Sequence, residues 1–372
     1  MFILGAWLHD LDPFILRISG DFGLRWYGLS YVLGFLCGWL VLRWLAKRRL
    51  IQLAPEAVAD VVFTIALGVL IGGRLGYIVF YQPAMLIGFS SSPPWWDVIR
   101  LNEGGMASHG GMLGVLVAAW WVARRDKTTT LHVLDCMALV APIGVLFGRL
   151  ANFVNGELLG RIAARAGEPA PWWSVKYPQE LVERPGEVVW SAQLDTIVGR
   201  FIEPGLTWTP MQVERLRLAA ADDDGLRAQF YQACGRVIEE IQGGNTQLQA
   251  EIAPLLNARH PSQLYQAIAE GVLTLGVLWL VWRRPRRPGV LTAWFLMVYG
   301  VGRILTEFVR LPDTHLAHQR LLGLSRGQWL SALMVLGGAA LLVWVVRMSK
   351  QTAIGGWAQR SPSSAEQQSS DA

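Results

Sequence analysis

Charge is scarce in this chain. Asp, Glu, Lys and Arg make up 16% of its 372 residues, where soluble domains carry roughly 25%. With 52% apolar residues gathered into long blocks, that shortage excludes an ordinary soluble domain and points to several helices of about 20 residues, the length that crosses a bilayer. Cysteine is scarce as well. Cys37 lies in an apolar run, Cys136 near the start of another and Cys234 in a polar region, a scatter that suggests neither a disulfide framework nor a metal site. A basic flank and a small-residue cleavage site are both missing around Met1 to Leu8, so no removable signal peptide is expected. The first span is expected to serve as the insertion signal.

The net charge of +5 hides a division. Residues 162–259 hold nine basic and thirteen acidic residues, net −4, which leaves +9 on the remainder. Those positives sit mostly in short loops, which makes them topology signals and excludes a nucleic-acid footprint.

Residues 1–25 contain Asp10, Asp12, Pro13, Gly20, Asp21 and Gly23, which break any long helix and suggest a lead-in on the membrane surface. Seven spans are then predicted, at 26–45, 58–80, 107–123, 132–154, 264–282, 289–308 and 328–346. Arg43, Lys47, Arg48 and Arg49 follow the first, Arg124, Arg125 and Lys127 the third, Arg283, Arg284, Arg286 and Arg287 the fifth, and Arg347 and Lys350 the seventh. By the positive-inside rule these junctions are cytoplasmic, so the N-terminus lies outside and the C-terminus in the cytoplasm.

The expected fold is an all-α multi-pass membrane protein of seven transmembrane helices with an enlarged outside insert between helices four and five. Its segments are the lead-in 1–25, helices one to four over 26–161, the insert 162–259, helices five to seven over 260–347, and a Ser- and Gln-rich cytoplasmic tail, 348–372, expected to be disordered. Met211 to Gly243 alternates apolar and charged positions, as one or two amphipathic helices would. The loop 81–105, with Trp95 and Trp96, suits the membrane interface.

A helix rises about 1.5 Å per residue, so this topology fixes depth. Arg74, His109, Arg149, Arg303 and Glu307 all fall in the outer half of the bilayer, and nothing comparable is expected in the inner half. An ion pathway needs polar groups across the full thickness; a one-sided cluster suggests an outer-leaflet site for a lipid.

The richest stretch is Gly148–Arg161, GRLANFVNGELLGR, which sets Arg149, Asn152, Asn155, Glu157 and Arg161 at the end of an apolar run. Arg149 and Asn152 share a helical face. They either cap the helix or offer a guanidinium fork to phosphate oxygens. Tyr299, Arg303, Glu307 and Arg310 form one stripe, which is either an ion-pair ladder or, with Arg149, a doubly cationic pocket that no protein anion balances and a phosphate would. Gly72 and Gly76 flank Arg74, and Gly110 and Gly114 follow His109; both pairs have helix-packing spacing. Arg74 either snorkels to the interface or joins the pocket. His109 is either an ordinary hydrogen-bonded residue or a base for a thiol.

Taken in order, Arg25-Trp26-Tyr27-Gly28-Leu29, GGRLGY at 72–77, HGGMLG at 109–114, GRLANFVNGELLGR, HPSQLY at 260–265 and GRILTEFVRLPD at 302–313 resemble the bacterial prolipoprotein diacylglyceryl transferases. The resemblance implies an inner-membrane enzyme without a cofactor that moves diacylglycerol from phosphatidylglycerol to the lipobox cysteine of a preprolipoprotein signal peptide. A thioether forms and glycerol 1-phosphate leaves. It implies that Arg149 contacts the head group and that Tyr27, His109, Asn152, Glu157, Tyr299, Arg303 and Glu307 belong to the site; Arg74, Asn155 and Arg310 join them as lipid-binding candidates from the residue pattern. The catalytic set is then His109, Arg149 and Arg303, with thiol deprotonation falling either to His109 or to an arginine-stabilised thiolate. Two departures stand out: Gln266 replaces the family's usual Glu after HPSQLY, and the insert is long. Against the transferase stand a lipid transporter using the same pocket, and a scaffold whose acidic insert recruits an exported partner.

Overall fold

The computed structural model describes residues 5–19, 22–89, 91, 93–100, 105–203, 205–311 and 324–358. Its helices are, in order, α1 (Trp26–Lys47), α2 (Val58–Tyr81), α3 (Ser108–Arg125), α4 (Thr130–Asn155), α5 (Glu180–Glu183), α6 (Ala192–Gly199), α7 (Pro210–Ala219), α8 (Asp224–Gln242), α9 (Thr246–Ile252), α10 (Ser262–Gln266), α11 (Thr274–Val281), α12 (Val290–Glu307) and α13 (Arg326–Met348). A π-helical stretch, Ala267–Leu273, makes α10 and α11 one continuous rod. The strands are β1 (Trp7–Leu8), β2 (Phe14–Ser19), β3 (Phe22–Arg25), β4 (Ile162–Ala164), β5 (Val175–Lys176) and β6 (Ala258–Arg259).

Among the described residues, six helical rods are long and apolar enough to cross a membrane: α1, α2, α4, the rod Ser262–Val281, α12 and Gly327–Met348. This is a helical membrane protein. Each of the seven predicted spans is helical, but α3 is not one of the six; it opens on His109, Gly110 and Gly111 and closes on Arg124 and Arg125, which lower its mean hydropathy.

The chain divides into two compact units. One comprises 33–144, 271–301 and 332–372. Its core packs Leu42, Leu45, Val61, Val122, Val133, Leu139, Leu278 and Leu291. Within it α2 and α3 meet through glycine: a Cβ on Gly114 would stand 1.9 Å from the Gly68 carbonyl oxygen, and one on Gly110 2.2 Å from that of Gly72. Only backbones without side chains approach this closely. Arg74 is buried here, and its guanidinium donates to the carbonyls of Val98 (2.8 Å), Asp97 (2.6 Å), Arg100 (3.1 Å) and Gly105 (3.1 Å). It organises the loop after α2 instead of snorkelling.

The expectation that costly polar groups collect at one end of the spans misses Asp135. This buried carboxylate near the start of α4 accepts from Gly289 N (2.8 Å), Thr292 N (2.7 Å) and Thr292 Oγ1 (2.6 Å). It caps the N-terminus of α12, where free N–H groups need an acceptor. Residues 349–358, expected to be disordered, pair Ile354 with Arg286 and donate Trp357 Nε1 to Trp279 O (2.7 Å); the rest of the tail, 359–372, lies outside the described residues.

The other unit comprises 1–32, 145–270 and 302–331. It corrects the all-α expectation with a small sheet in the order β1-β5-β6-β4 and a β2–β3 hairpin. The lead-in is therefore part of the fold: β1 pairs with β5, and His9 donates from Nε2 to Phe153 O (2.7 Å) while accepting at Nδ1 from Gln179 (3.2 Å). The insert has its own core of Leu194, Ile197, Val213, Phe230, Val237, Ile241 and Leu256. Its helices α6 to α9 start on side-chain caps, Ser191, Thr209 with Gln212, Asp223 and Asn245.

Candidate active site

The Gly148–Arg161 stretch folds as its residues dictate. Helix α4 ends at Asn155, and Gly156 and Leu158 then take positive φ, +67° and +56°, a conformation that glycine adopts freely and leucine rarely. Glu157 folds back over the helix end: Asn152 Nδ2 donates to its Oε2 (3.2 Å) and Asn155 Nδ2 to its Oε1 (3.0 Å). The HPSQLY motif holds this loop from outside. Ser262 Oγ donates to Leu158 O (2.8 Å), Gln263 Nε2 donates to Glu157 O, and Tyr177 OH donates to Gln263 Oε1 (3.2 Å). At Gly160 a Cβ would lie 2.1 Å from His260 O. Backbone bonds from Arg161 N to Val309 O (2.9 Å) and from Leu311 N to Leu159 O (3.2 Å) fix the loop beside the segment that follows α12.

Next to this loop lies a connected set of ion pairs. Arg149 donates from Nε (3.1 Å) and Nη2 (2.9 Å) to Glu270 Oε2. Arg303 Nη1 stands 3.5 Å from Glu270 Oε1, Arg303 Nη2 3.7 Å from Glu307 Oε2, and Arg310 Nη1 3.6 Å from the same oxygen. Thr306 Oγ1 donates to Glu270 Oε1 (3.3 Å) and Ser325 Oγ to Glu307 Oε1 (3.0 Å). Glu270 is fully buried, whereas the Arg149 and Arg303 side chains each keep 18% exposure. Both arginine side chains are thus partly exposed cations beside a buried carboxylate, and guanidiniums hold anions through charge-assisted hydrogen bonds.

Glu270 corrects the expectation of a pocket that no protein anion balances. It is the only charged residue in the predicted span 264–282, and an ionisable group inside a span is a functional candidate by default; that signal was available in the sequence. Gln266, one turn earlier, is also fully buried. The stripe on α12 forms the ion-pair ladder, since Glu307 pairs both Arg303 and Arg310.

Of the predicted residues, this unit contains Tyr27, Arg149, Asn152, Asn155, Glu157, Arg303, Glu307 and Arg310. Tyr27 meets Tyr31 edge-on, with hydroxyls 3.4 Å apart. Arg74, His109 and Tyr299 belong to the other unit. There His109 is exposed on the first turn of α3, and Tyr299 stacks on Phe295 at 5.5 Å. The four contacts from Arg74 to its loop do not fit it as a lipid ligand, because the donors that would meet a phosphate are turned to backbone carbonyls.

Fold and site together define a helical membrane protein with a partly buried cluster of arginines and glutamates. Similarity makes this specific: the family model described as prolipoprotein diacylglyceryl transferase matches residues 13–344. A phosphatidylglycerol–prolipoprotein diacylglyceryl transferase of Bdellovibrio bacteriovorus is 45% identical over 94% of this chain and 97% of its own. Proteins of the same name from Pseudoalteromonas atlantica (93% of each chain) and Burkholderia cenocepacia (91% of this chain, 96% of its own) are each 34% identical. The chain belongs to the prolipoprotein diacylglyceryl transferase family.

Proposed function

We propose that this chain transfers the diacylglyceryl group of phosphatidylglycerol to the lipobox cysteine of preprolipoproteins, the first step of lipoprotein maturation. The cysteine sulfur attacks the glyceryl carbon that bears the phosphate. A C–S bond forms, the C–O bond breaks with its electron pair moving onto the phosphate, and glycerol 1-phosphate departs. The observation that carries this reading is the Arg149–Glu270–Arg303 arrangement, two partly exposed arginine side chains paired with one buried carboxylate. Fixed cations aimed where charge develops are the largest catalytic term in many enzymes. Arg149 and Arg303 bind the head-group phosphate and stabilise the charge that grows on it. Asn152, Asn155 and Glu157 shape the adjoining loop, with Tyr27 beside the lipid. Glu307 and Arg310 continue the cluster. From its motif alone His109 is the proposed acceptor of the thiol proton, the alternative being a thiolate stabilised by an arginine, since the thiolate is the nucleophile, and Tyr299 is a lipid-binding candidate on the same sequence grounds.

The proposed setting is the bacterial inner membrane, with α3 as a seventh span, the N-terminus and the insert 162–259 in the periplasm, the C-terminus in the cytoplasm and the site toward the outer leaflet. The positive junctions support this orientation. The test is thioether formation on a lipobox peptide by Arg149→Ala, Arg303→Ala and His109→Gln in folded protein. Losses of about 100-fold or more are expected for either arginine. Arginine variants that turn over at the wild-type rate would sink the assignment.

A further inference from the structure

Gln266 is fully buried in the rod Ser262–Val281, and among the described residues neither its amide nitrogen nor its amide oxygen has a hydrogen-bond partner. A buried amide with both roles unfilled is costly, so the group calls for a ligand. Its place on the rod says where that ligand lies. Gln263, three residues earlier, donates to Glu157 O in the loop after α4, and Glu270, four residues later, accepts from Arg149. Residues three and four apart are neighbours on a helix. Gln266 therefore stands on one stripe, between the residue that holds the Glu157 loop and the residue that holds Arg149. The rod turns π-helical from Ala267, a distortion frequent at functional sites. The loop carries a second orphan: Asn155 Oδ1 is buried without a partner among the described residues, although Asn155 Nδ2 is bound to Glu157.

An amide both donates and accepts, and its complement is a group that does the same. A hydroxyl qualifies; an ammonium only donates and a methyl does neither. The head-group glycerol of phosphatidylglycerol offers two hydroxyls, joined to the phosphate through a short carbon chain. With the phosphate at Arg149, those hydroxyls need to reach only about one helical turn, roughly 5.4 Å, back along the rod from Glu270 to meet Gln266. We propose that Gln266 is a specificity-determining residue that hydrogen-bonds the head-group hydroxyls, donating from Nε2 and accepting at Oε1. This rests on the transferase reading. A site built to bond a hydroxyl rejects the analogue that lacks it, because the buried polar atoms are then left unpaired.

The experiment is calorimetric titration of the full-length protein in detergent with short-chain phosphatidylglycerol and with short-chain phosphatidylpropanol, which has the same phosphodiester and acyl chains and no head-group hydroxyl. Wild type should bind phosphatidylglycerol about tenfold or more tightly than phosphatidylpropanol. Gln266→Met fills a similar volume without hydrogen-bonding groups of that strength. It should bind the two lipids within about threefold of each other, with its Kd for phosphatidylpropanol within about threefold of wild type, because only the hydroxyl contacts are lost. It should also melt no lower than wild type, since an unpartnered buried amide does not stabilise the folded protein. A wild type that binds both lipids alike overturns the proposal, and the amide then meets only water. A folded Gln266→Met protein that keeps the wild-type preference also overturns it, since other residues then read the hydroxyls. A Gln266→Met protein that melts well below wild type or fails to fold shows that protein groups satisfy the amide, and overturns it as well. Because binding is read independently of turnover, a wild type that makes no thioether product fails the transferase reading separately.

Discussion

Arg259 and Glu180 form an ion pair with no solvent contact. Both are at 0% exposure, the guanidinium Nε donates to Glu180 Oε2 at 2.7 Å, and Nη1 reaches Glu187 Oε2 at 2.8 Å and the Gly160 carbonyl at 3.3 Å. Glu180 also accepts from Asn257 N at 3.0 Å. Burial pushes the Glu180 carboxyl up while Arg259 pulls it back down. Removing one partner strands the other charge in the interior, which costs about 3–5 kcal/mol. At roughly 2–4 °C per kcal/mol for a unit of this size, Arg259→Met should lower the melting temperature by about 6–20 °C. Replacing both residues, Glu180→Met with Arg259→Met, should cost less than the two single changes added together, because no buried charge is then stranded. Cys234 supplies the assay: it is fully buried in the insert's core, and burial pushes its thiol up to about 12. A thiol probe mapped to Cys234 by peptide mass spectrometry should label only on unfolding. A single Arg259→Met variant that melts within about 2 °C of wild type would refute the reasoning.

His9 predicts a pH effect. Burial lowers its pKa from the ordinary 6.5, so below that value the unfolded chain binds a proton that the folded one refuses, and stability falls as pH drops through the window beneath 6.5; melting curves should show this slope and His9→Gln should flatten it, whereas an equally steep variant would exclude His9 as its source. Gly114→Ala should push α2 from α3, since its Cβ would meet Gly68 O at 1.9 Å, at about 1–3 kcal/mol of overpacking; an unchanged melting temperature would contradict the glycine contact. Gln263→Ala should leave the Glu157 carbonyl and the Tyr177 hydroxyl without this partner, at about 1–3 kcal/mol each, and reduce turnover more than expression; wild-type kcat would show that the loop holds without its staple.

Much of this was legible in the sequence because it depends on local pattern. Apolar length located the six candidate spans, and the alternation from Met211 to Gly243 resolved into α7 and α8. The ion pairs of Arg303 and Arg310 with Glu307 follow helical spacing and were readable for that reason. Glu270 stood out as the one charge in its span, but its pairing with Arg149 was not readable, because the two are 121 residues apart and nothing local records that contact. The same holds for β1, two residues whose pairing with β5 depends on a strand far along the chain, and for Asp135, whose acceptors serve a helix beginning more than a hundred residues later. Arg74 had the right residue type, but the orientation that spends its donors on the loop carbonyls is a tertiary fact.

The most direct test of the central claim is mass spectrometry of a lipobox peptide incubated with the purified protein and phosphatidylglycerol carrying an isotopic label in the acylated glyceryl unit. The account predicts a labelled diacylglyceryl group on the cysteine sulfur, stable to hydroxylamine as a thioether is, matched by released glycerol 1-phosphate, and lost in folded Arg149→Ala. An unmodified peptide from folded wild-type protein, or label attached through a hydroxylamine-labile ester, would contradict it.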